Sequence, residues 1–140
     1  MRFPIGIQNF RTLREDGYLY IDKTELIYKL VDTGCYYLLS RPRRFGKSLL
    51  VSTLEAYFQG KKEQFKGLAM ERLEKDWTAR PVFHLDLNVG KYESTQSLLD
   101  TLNEALTVWE QEYGAVEAER NVGLRFKGVV QRAYEKTGQR

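Results

Sequence analysis

The sequence predicts an α/β fold in which helices flank a parallel sheet. Two short apolar runs, at 35–39 and 82–87, suit buried strands, and each is followed by a segment with apolar residues at helical spacing. The order β-α-β-α favours parallel strands, because a parallel connection needs a crossover that usually contains a helix. Two strands make an incomplete sheet, since sheets average about five or six strands. We therefore expect the 140-residue chain to be a fragment of a longer protein.

Residues 1–17 predict an irregular or briefly helical lead-in, because proline and glycine interrupt a short apolar pattern, and residues 18–21 predict a short extended piece. A helix should follow, with Asp22 as its N-cap and Glu25 completing a capping box. Apolar residues at helical spacing continue this helix until Gly34 ends it.

The first strand is expected at 35–39, between Gly34 and a polar turn. Leucine, tyrosine and phenylalanine side chains then recur at helical spacing over residues 49–58, and Gly60 ends that helix. This part of the chain is therefore predicted to be a strand, a loop and a helix.

Short helical pieces are expected in the charged stretch 61–80. Their apolar anchors are Phe65, Leu68, Met70 and Leu73. Pro81 introduces the second strand at 82–87, which Asn88 and Gly90 close.

The clearest helical period in the chain predicts a helix at 95–113, with Trp109 and Tyr113 on the face packed against the sheet. Gly114 caps this helix. A last amphipathic helix is expected at about 122–134.

Composition and charge limit the class of protein. The chain is 42% hydrophobic and 29% charged, which suits one soluble globular core. Its apolar runs are far shorter than the roughly 20 residues that cross a bilayer, so no membrane contact is expected. The net charge of +3 is too small to identify a dedicated nucleic-acid binder. Because Cys35 is the single cysteine, no internal disulfide can form, and we assign Cys35 no chemical role. The N-terminus lacks a secretory signal, so we expect a cytoplasmic location.

The stretch Arg41–Ser48, RPRRFGKS, lies between the first predicted strand and its helix. Gly46, Lys47 and Ser48 match the second half of the phosphate-binding pattern G-x-x-x-x-G-K-[ST], and a position between strand and helix is the context that this pattern requires. Arg41 stands where the pattern has its first glycine. Because arginine and the proline after it lack the backbone freedom of glycine, we expect a tighter or differently shaped loop.

These residue types suit the triphosphate of ATP together with Mg²⁺. Gly46 lets backbone amides approach phosphate oxygens, and the helix that begins there directs unpaired N–H groups at an anion. Lys47 reaches the β and γ phosphates, the Ser48 hydroxyl coordinates Mg²⁺, and two arginines add charge-assisted contacts. The predicted nucleotide-binding residues are Arg43, Arg44, Phe45, Gly46, Lys47, Ser48 and Leu49, with Ser48 as the metal ligand.

Several stretches of the sequence resemble the N-terminal part of a known family. They are Pro4–Ile7, Gly17–Thr24, Leu39–Leu50 and Tyr57–Gly60. Together and in this order they resemble the predicted AAA-type ATPases common in gut bacteria, and the likeness covers residues 3–90. In that family R-P-R-R-F-G-K-[ST] is the usual form of the phosphate loop, so the resemblance implies that Arg41 is a family trait.

The resemblance implies that residues 1–140 are the N-terminal portion of a single P-loop ATPase domain, with 1–34 as lead-in and first helix and 35–140 as the β-α-β-α core. It also implies an extra strand between the phosphate loop and the Walker B strand, which would follow directly after Arg140. Full-length relatives often carry a C-terminal domain of the restriction-endonuclease type, which implies nucleic acid as a partner of the longer protein.

Other polar residues have weaker functional interpretations. Apolar residues lead into Asp86, as in a Walker B strand, so a role for its carboxylate in holding Mg²⁺ through water stays open. The family's strand order instead implies that Asp86 bounds the nucleotide site or caps a loop. His84 is expected to be a hydrogen-bonded structural residue. As a hypothesis, residues 18–23 pack beside the phosphate loop and contact adenine, whereas the simpler role of Asp22 is helix capping.

Two other uses of the basic loop remain as alternatives. Arg41, Arg43, Arg44 and Lys47 can bind a nucleic-acid phosphate backbone, or the loop can belong to a non-catalytic interaction module. We expect the chain alone to hydrolyse ATP slowly or not at all, because a carboxylate that secures Mg²⁺ and a residue that orients water are not assured within it. The sequence does not indicate the oligomeric state.

Overall fold

A computed structural model describes residues 2–34, 36–88 and 93–139 of the chain. The chain divides into two compact units, Met1–Ala79 and Arg80–Arg140. Each unit is built from helices joined by irregular segments.

The predicted α/β fold, with its P-loop-like parallel sheet, is wrong for the part of the chain that the structure describes. Within that part there is no strand, and the β structure is limited to one isolated parallel bridge between Arg2 and Tyr18. Neither the run at 36–39 nor the run at 82–87 forms a β-strand. Cys35 and Gly90, where the first predicted strand begins and the second closes, lie outside the described residues.

The reason for this error is physical. A strand is stable only when a neighbouring strand satisfies its backbone N–H and C=O groups, and an apolar run in the sequence does not supply that neighbour. Tyr36 is 97% exposed and Leu38 is 96% exposed, so the first run is not buried. Instead, the Tyr37 hydroxyl donates a hydrogen bond of 2.6 Å to the Leu30 carbonyl, which ties this run to the preceding helix.

The helices of the first unit largely follow the periodicity of the sequence. They are α1 (Phe10–Glu15), α2 (Thr24–Thr33), α3 (Lys47–Phe58), a 3-10 turn (Lys62–Phe65) and α4 (Ala69–Leu73). The brief helix in the lead-in, the end of α2 at Gly34 and the short pieces within 61–80 are confirmed.

Phe10 and Phe65 are fully buried at the centre of the first unit, with their ring centroids 4.9 Å apart. Leu68 and Met70 join the same core, so three of the four predicted anchors of the 61–80 stretch are buried. The fourth, Leu73, is the last residue of α4 and is 38% exposed.

Asp22 caps the start of α2 in a way that differs in detail from the sequence prediction. Its Oδ1 accepts hydrogen bonds from the Thr24 amide (2.9 Å) and the Thr24 hydroxyl (2.7 Å), while Lys23 holds the N-cap position. The predicted capping box is wrong, because the Glu25 carboxylate pairs instead with the Lys29 ammonium, one turn later, at 2.8 Å.

The same carboxylate joins two helix starts. Asp22 Oδ2 accepts a hydrogen bond of 2.7 Å from the Ala69 amide, and the Thr24 hydroxyl accepts one of 3.0 Å from the Met70 amide. Partial burial raises the pKa of the Asp22 carboxyl, but the hydrogen bonds from Thr24 and Ala69 outweigh it, so its pKa lies below the ordinary value of 3.8. The ionised form of Asp22 therefore stabilises the first unit.

The second unit contains α5 (Thr95–Tyr113) and α6 (Val122–Thr137). Helix α5 has the predicted bounds, since the Ser94 hydroxyl accepts the Ser97 amide at its start and Gly114 ends it. Helix α6 extends to Thr137, beyond the predicted end at about 134, before Gly138 adopts a left-handed conformation with φ of +67°.

An aromatic cluster and an ion pair hold α5 to α6. Phe83 packs against Trp109, with ring centroids 5.0 Å apart, and Phe126 of α6 lies 6.2 Å from Trp109. Trp109 therefore belongs to a packed face, as expected, but its neighbours are aromatic side chains rather than a sheet. The Arg125 guanidinium also contacts the Glu110 carboxylate through two hydrogen bonds of 2.9 and 2.7 Å. None of the helices in the described residues combines the length and apolar character needed to cross a lipid bilayer.

Candidate anion-binding site

The basic loop leads directly into the start of α3. Helix α3 begins at Lys47, and Gly46 precedes it as N-cap in a left-handed conformation with φ of +78°. Non-glycine residues rarely adopt this conformation, so the backbone favours glycine at this position. A Cβ atom added to Gly46 would meet no atom within 4 Å, so the space beside its backbone is open. The predicted position of Gly46 between the loop and the helix is confirmed.

The first amides of α3 are available to an anion. The Leu50 amide donates to the Gly46 carbonyl at 3.0 Å, and no side chain caps the helix. The amides of Lys47, Ser48 and Leu49 therefore have no hydrogen-bond partner among the described residues. Because such unpaired N–H groups and the helix dipole attract negative charge, the backbone here fits a phosphate group.

The Lys47 side chain folds back over the loop. Its Nζ donates a hydrogen bond of 2.8 Å to the Arg41 carbonyl oxygen, and the residue is exposed. The ammonium is thus exposed, and no carboxylate of a described residue pairs with it. A phosphate oxygen beside the first turn of α3 would compete with this carbonyl for the same charge, and a charged acceptor forms the stronger hydrogen bond.

Further positive charge surrounds the loop. The Arg41 guanidinium makes a long hydrogen bond of 3.5 Å to the Phe45 carbonyl, whereas Arg43 and Arg44 are exposed and have no hydrogen-bond partner among the described residues. Arg44 has φ of +67°, and among the described residues it is the one non-glycine residue with positive φ. Since no acidic residue lies within 41–48, the loop favours an anionic ligand.

The metal ligand predicted by the sequence is Ser48. Ser48 is exposed in the first turn of α3, and its hydroxyl makes no hydrogen bond to a described residue. No group of three or more histidine, cysteine, aspartate or glutamate side chains that could hold a metal occurs among the described residues. Mg²⁺ commonly keeps several waters and takes one or two protein ligands plus phosphate oxygens, so the Ser48 hydroxyl fits it only in company with a phosphate.

Two other candidates have a defined local role. Asp86, in the second unit, is exposed and its Oδ1 accepts a hydrogen bond of 2.8 Å from the Asn88 amide, so it caps its own turn. A metal role for Asp86 stays a prediction. Tyr20 is half-buried against Phe10, and burial raises the pKa of its hydroxyl although a hydrogen bond with Thr53 of α3 lowers it in part. Contact of residues 18–23 with adenine likewise stays a prediction.

Two features of the loop have no signature in the sequence. One is the contact between the Lys47 ammonium and the Arg41 carbonyl, which is made by a backbone atom common to every residue. The other is the left-handed conformation of Arg44, a position where sequence patterns lead one to expect glycine or asparagine.

Comparisons with known proteins show what the whole chain is similar to. A family model described as Predicted AAA-ATPase matches residues 4–140. A curated relative from Azotobacter chroococcum mcd 1, described as an uncharacterized protein in the vnfD 5' region, is 39% identical over 141 residues. The match covers 99% of this chain and 27% of that relative, so the chain spans about a quarter of the relative's length. No solved structure matches the chain.

Proposed function

The chain belongs to the predicted AAA-ATPase family, and from this membership we propose that it binds the triphosphate of ATP through residues 41–49. The observation that carries the proposal is the start of α3. There the left-handed Gly46 leads into three amides that have no hydrogen-bond partner in the described part of the chain, and the exposed Lys47 ammonium contacts the Arg41 carbonyl of the same loop. Membership of a predicted ATPase family and a backbone that fits phosphate both support the triphosphate of ATP as the ligand.

In this proposal each group of the loop has a separate task. The amides of Lys47, Ser48 and Leu49 bind phosphate oxygens, and the Lys47 ammonium leaves the Arg41 carbonyl to bind the phosphate chain. The Ser48 hydroxyl supplies the protein ligand to Mg²⁺, which neutralises phosphate charge when it is bound.

Hydrolysis belongs to the longer protein in this proposal. In this proposal residues 1–140 are part of one ATPase domain, in the cytoplasm, and the hydrolysis machinery lies partly beyond Arg140. The length of the Azotobacter relative, of which the chain spans 27%, supports a longer protein. The activity and partners of that longer protein, including a nuclease-like domain, are not needed for the binding proposed here.

A second candidate is binding to the phosphate backbone of nucleic acid. The observation that favours it is the pair of exposed guanidinium groups of Arg43 and Arg44, which have no partner among the described residues. Backbone binding would weaken steeply as salt rises and would not require Mg²⁺, whereas nucleotide binding depends on Lys47 and on Mg²⁺.

Calorimetric titration of the 140-residue chain with Mg-ATP and Mg-GTP tests the proposal. The Lys47→Ala variant should bind Mg-ATP at least about tenfold more weakly, because a charge-assisted hydrogen bond contributes about 1.5–3 kcal/mol. The Lys62→Ala variant removes an exposed lysine elsewhere in the first unit and should bind like the parent. Absence of ATP binding, or equal loss in both variants, would overturn the proposal.

A further inference from the structure

The basic loop, residues 41–48, lies on the open surface of the first unit. Every described residue from Tyr36 to Ser48 is exposed, and the Phe45 side chain, beside Gly46, is 62% exposed. A cleft of about 400 Å³ in the same unit is lined by residues from 9–15 and 52–64, outside the loop. Sites for small organic molecules usually bury most of the ligand's surface, so the exposed residues of the loop do not enclose a nucleobase.

The side chains of the loop suit phosphate better than a base. Residues 41–48 contain no Asp, Glu, Asn, Gln or His, and the Ser48 hydroxyl is the one side-chain group among them that accepts a hydrogen bond. Adenine and guanine present donors as well as acceptors on their edges, so a protein needs acceptors to tell them apart. Arginine and lysine side chains only donate. The side chains of the loop therefore do not select one base over another.

Positive charge in the loop extends beyond the first turn of α3. The Lys47 ammonium contacts the Arg41 carbonyl, whereas the guanidinium groups of Arg43 and Arg44 are exposed and have no hydrogen-bond partner among the described residues. A phosphate chain presents charged oxygens along its whole length, and guanidinium groups bind such oxygens through charge-assisted hydrogen bonds. A chain of several phosphates therefore matches both the helix start and the arginines.

We propose that the basic loop binds linear inorganic polyphosphate, because it recognises a chain of phosphates and not the nucleoside that the chain carries. This inference rests on the phosphate contacts of the proposed function and extends its ligands to phosphate chains without a base. Affinity should rise with the number of phosphates, since each further phosphate adds negative charge beside the arginines. It should not depend on the base.

Calorimetric titration of the 140-residue chain at fixed Mg²⁺ concentration and ionic strength tests the inference. Tripolyphosphate should bind within about tenfold of ATP, and pyrophosphate at least about threefold more weakly than tripolyphosphate, since it makes fewer charge-assisted contacts. ATP and GTP should bind equally. Adenosine, which has the base but no phosphate, should not bind. Sulfate, a single compact anion, should bind at least about tenfold more weakly than tripolyphosphate.

Two arginine variants separate specific contacts from general attraction of anions to a basic protein. Arg43→Ala should weaken the binding of ATP and of tripolyphosphate by the same factor, about three- to tenfold, because both ligands use the same phosphate contact. Arg72→Ala is the matched control, since it removes an exposed arginine of α4 in the same unit, and it should leave the binding of both ligands unchanged.

The outcomes distinguish this inference from the proposed function. If ATP binds but tripolyphosphate binds more than tenfold more weakly, the proposed function stands and the inference is overturned in favour of a base contact, such as that predicted for residues 18–23. If tripolyphosphate binds and ATP does not, the proposed function fails and the inference stands.

Three further results would overturn the inference. They are no binding of either ligand, no greater loss in Arg43→Ala than in Arg72→Ala, and tighter binding of a short oligothymidylate than of tripolyphosphate. The last result would identify the phosphate backbone of nucleic acid as the ligand of the loop.

Discussion

Asp22 Oδ2 accepts a hydrogen bond from the Ala69 amide, 47 residues later in the chain, at 2.7 Å. With its other oxygen on Thr24, this carboxylate joins the start of α2 to the start of α4. The pKa of Asp22 is lowered in the folded chain, so its stabilising effect is present above the ordinary pKa of 3.8 and is lost as the pH falls through the lowered folded value.

We therefore expect Asp22→Ala to destabilise the chain by about 1–2 kcal/mol at pH 7, because a helix cap and a second hydrogen bond to a charged group are lost. The loss should shrink as the pH falls below the folded pKa, where the parent carboxyl is protonated too. Urea unfolding at pH 7 and at lower pH measures both values. Asp16→Ala is the control at an exposed position, and an Asp22→Ala effect independent of pH would contradict this prediction.

A comparison of Gly46→Ala with Gly67→Ala should separate the effect of backbone strain on stability from its effect on ATP binding. Gly46 and Gly67 have φ of +78° and +79°, and a Cβ added at either would meet no atom within 4 Å. Each alanine variant should therefore lose a similar stability, about 1–2 kcal/mol. Only Gly46→Ala should weaken binding of Mg-ATP, because its strain shifts the amides at the start of α3. Calorimetry and thermal unfolding of both variants check this, and equal ATP affinities would contradict it.

Arg44→Gly should lower the affinity for Mg-ATP without lowering the stability of the chain. Glycine relieves the left-handed φ of +67°, so the free energy of unfolding should stay unchanged or rise by up to about 1 kcal/mol. Affinity for Mg-ATP should fall, because an exposed guanidinium beside the loop is lost. Arg43→Gly has no such strain to relieve and should lower both quantities. A stability loss in Arg44→Gly as large as in Arg43→Gly would disprove the prediction.

Glu110→Gln should weaken the second unit. The Glu110 and Arg125 side chains are 12% and 21% exposed, and their hydrogen bonds lower the pKa of the Glu110 carboxyl. We expect a loss of about 1–3 kcal/mol at pH 7. Since the folded pKa is lowered, this difference should decrease as the pH falls through that value. Urea unfolding measures the effect, with Glu104→Gln at an exposed position of α5 as the control, and equal losses in the two variants would argue against it.

Helices were predictable because their signals are local. The bounds of α5 follow from Ser94, Gly114 and an apolar period between them, all within one continuous segment. Strands were not predictable from the runs at 36–39 and 82–87, since a strand depends on hydrogen bonds to residues far away in the sequence. The position of Asp22 was anticipated, but its contact with Ala69 was not, for the same reason.

The candidate site was also predictable from the sequence only in part. Gly46, Lys47 and Ser48 were placed correctly at the start of a helix, because motif and helix signal coincide. The burial of Gln64, whose Oε1 has no hydrogen-bond partner among the described residues, could not be anticipated, since burial depends on elements far apart in the sequence. A glutamine in a charged segment carries no signal that it will be buried.

At the proposed site, the hydrogen bond from Lys47 to the Arg41 carbonyl would make ligand entry an exchange reaction. An incoming anion gains the lysine only by displacing an internal acceptor at 2.8 Å, so the measured affinity reports a difference between two contacts. Weak anions such as chloride should lose this competition while polyanions win it. Under the proposal, the loop would therefore distinguish anions by their charge before it distinguishes them by shape.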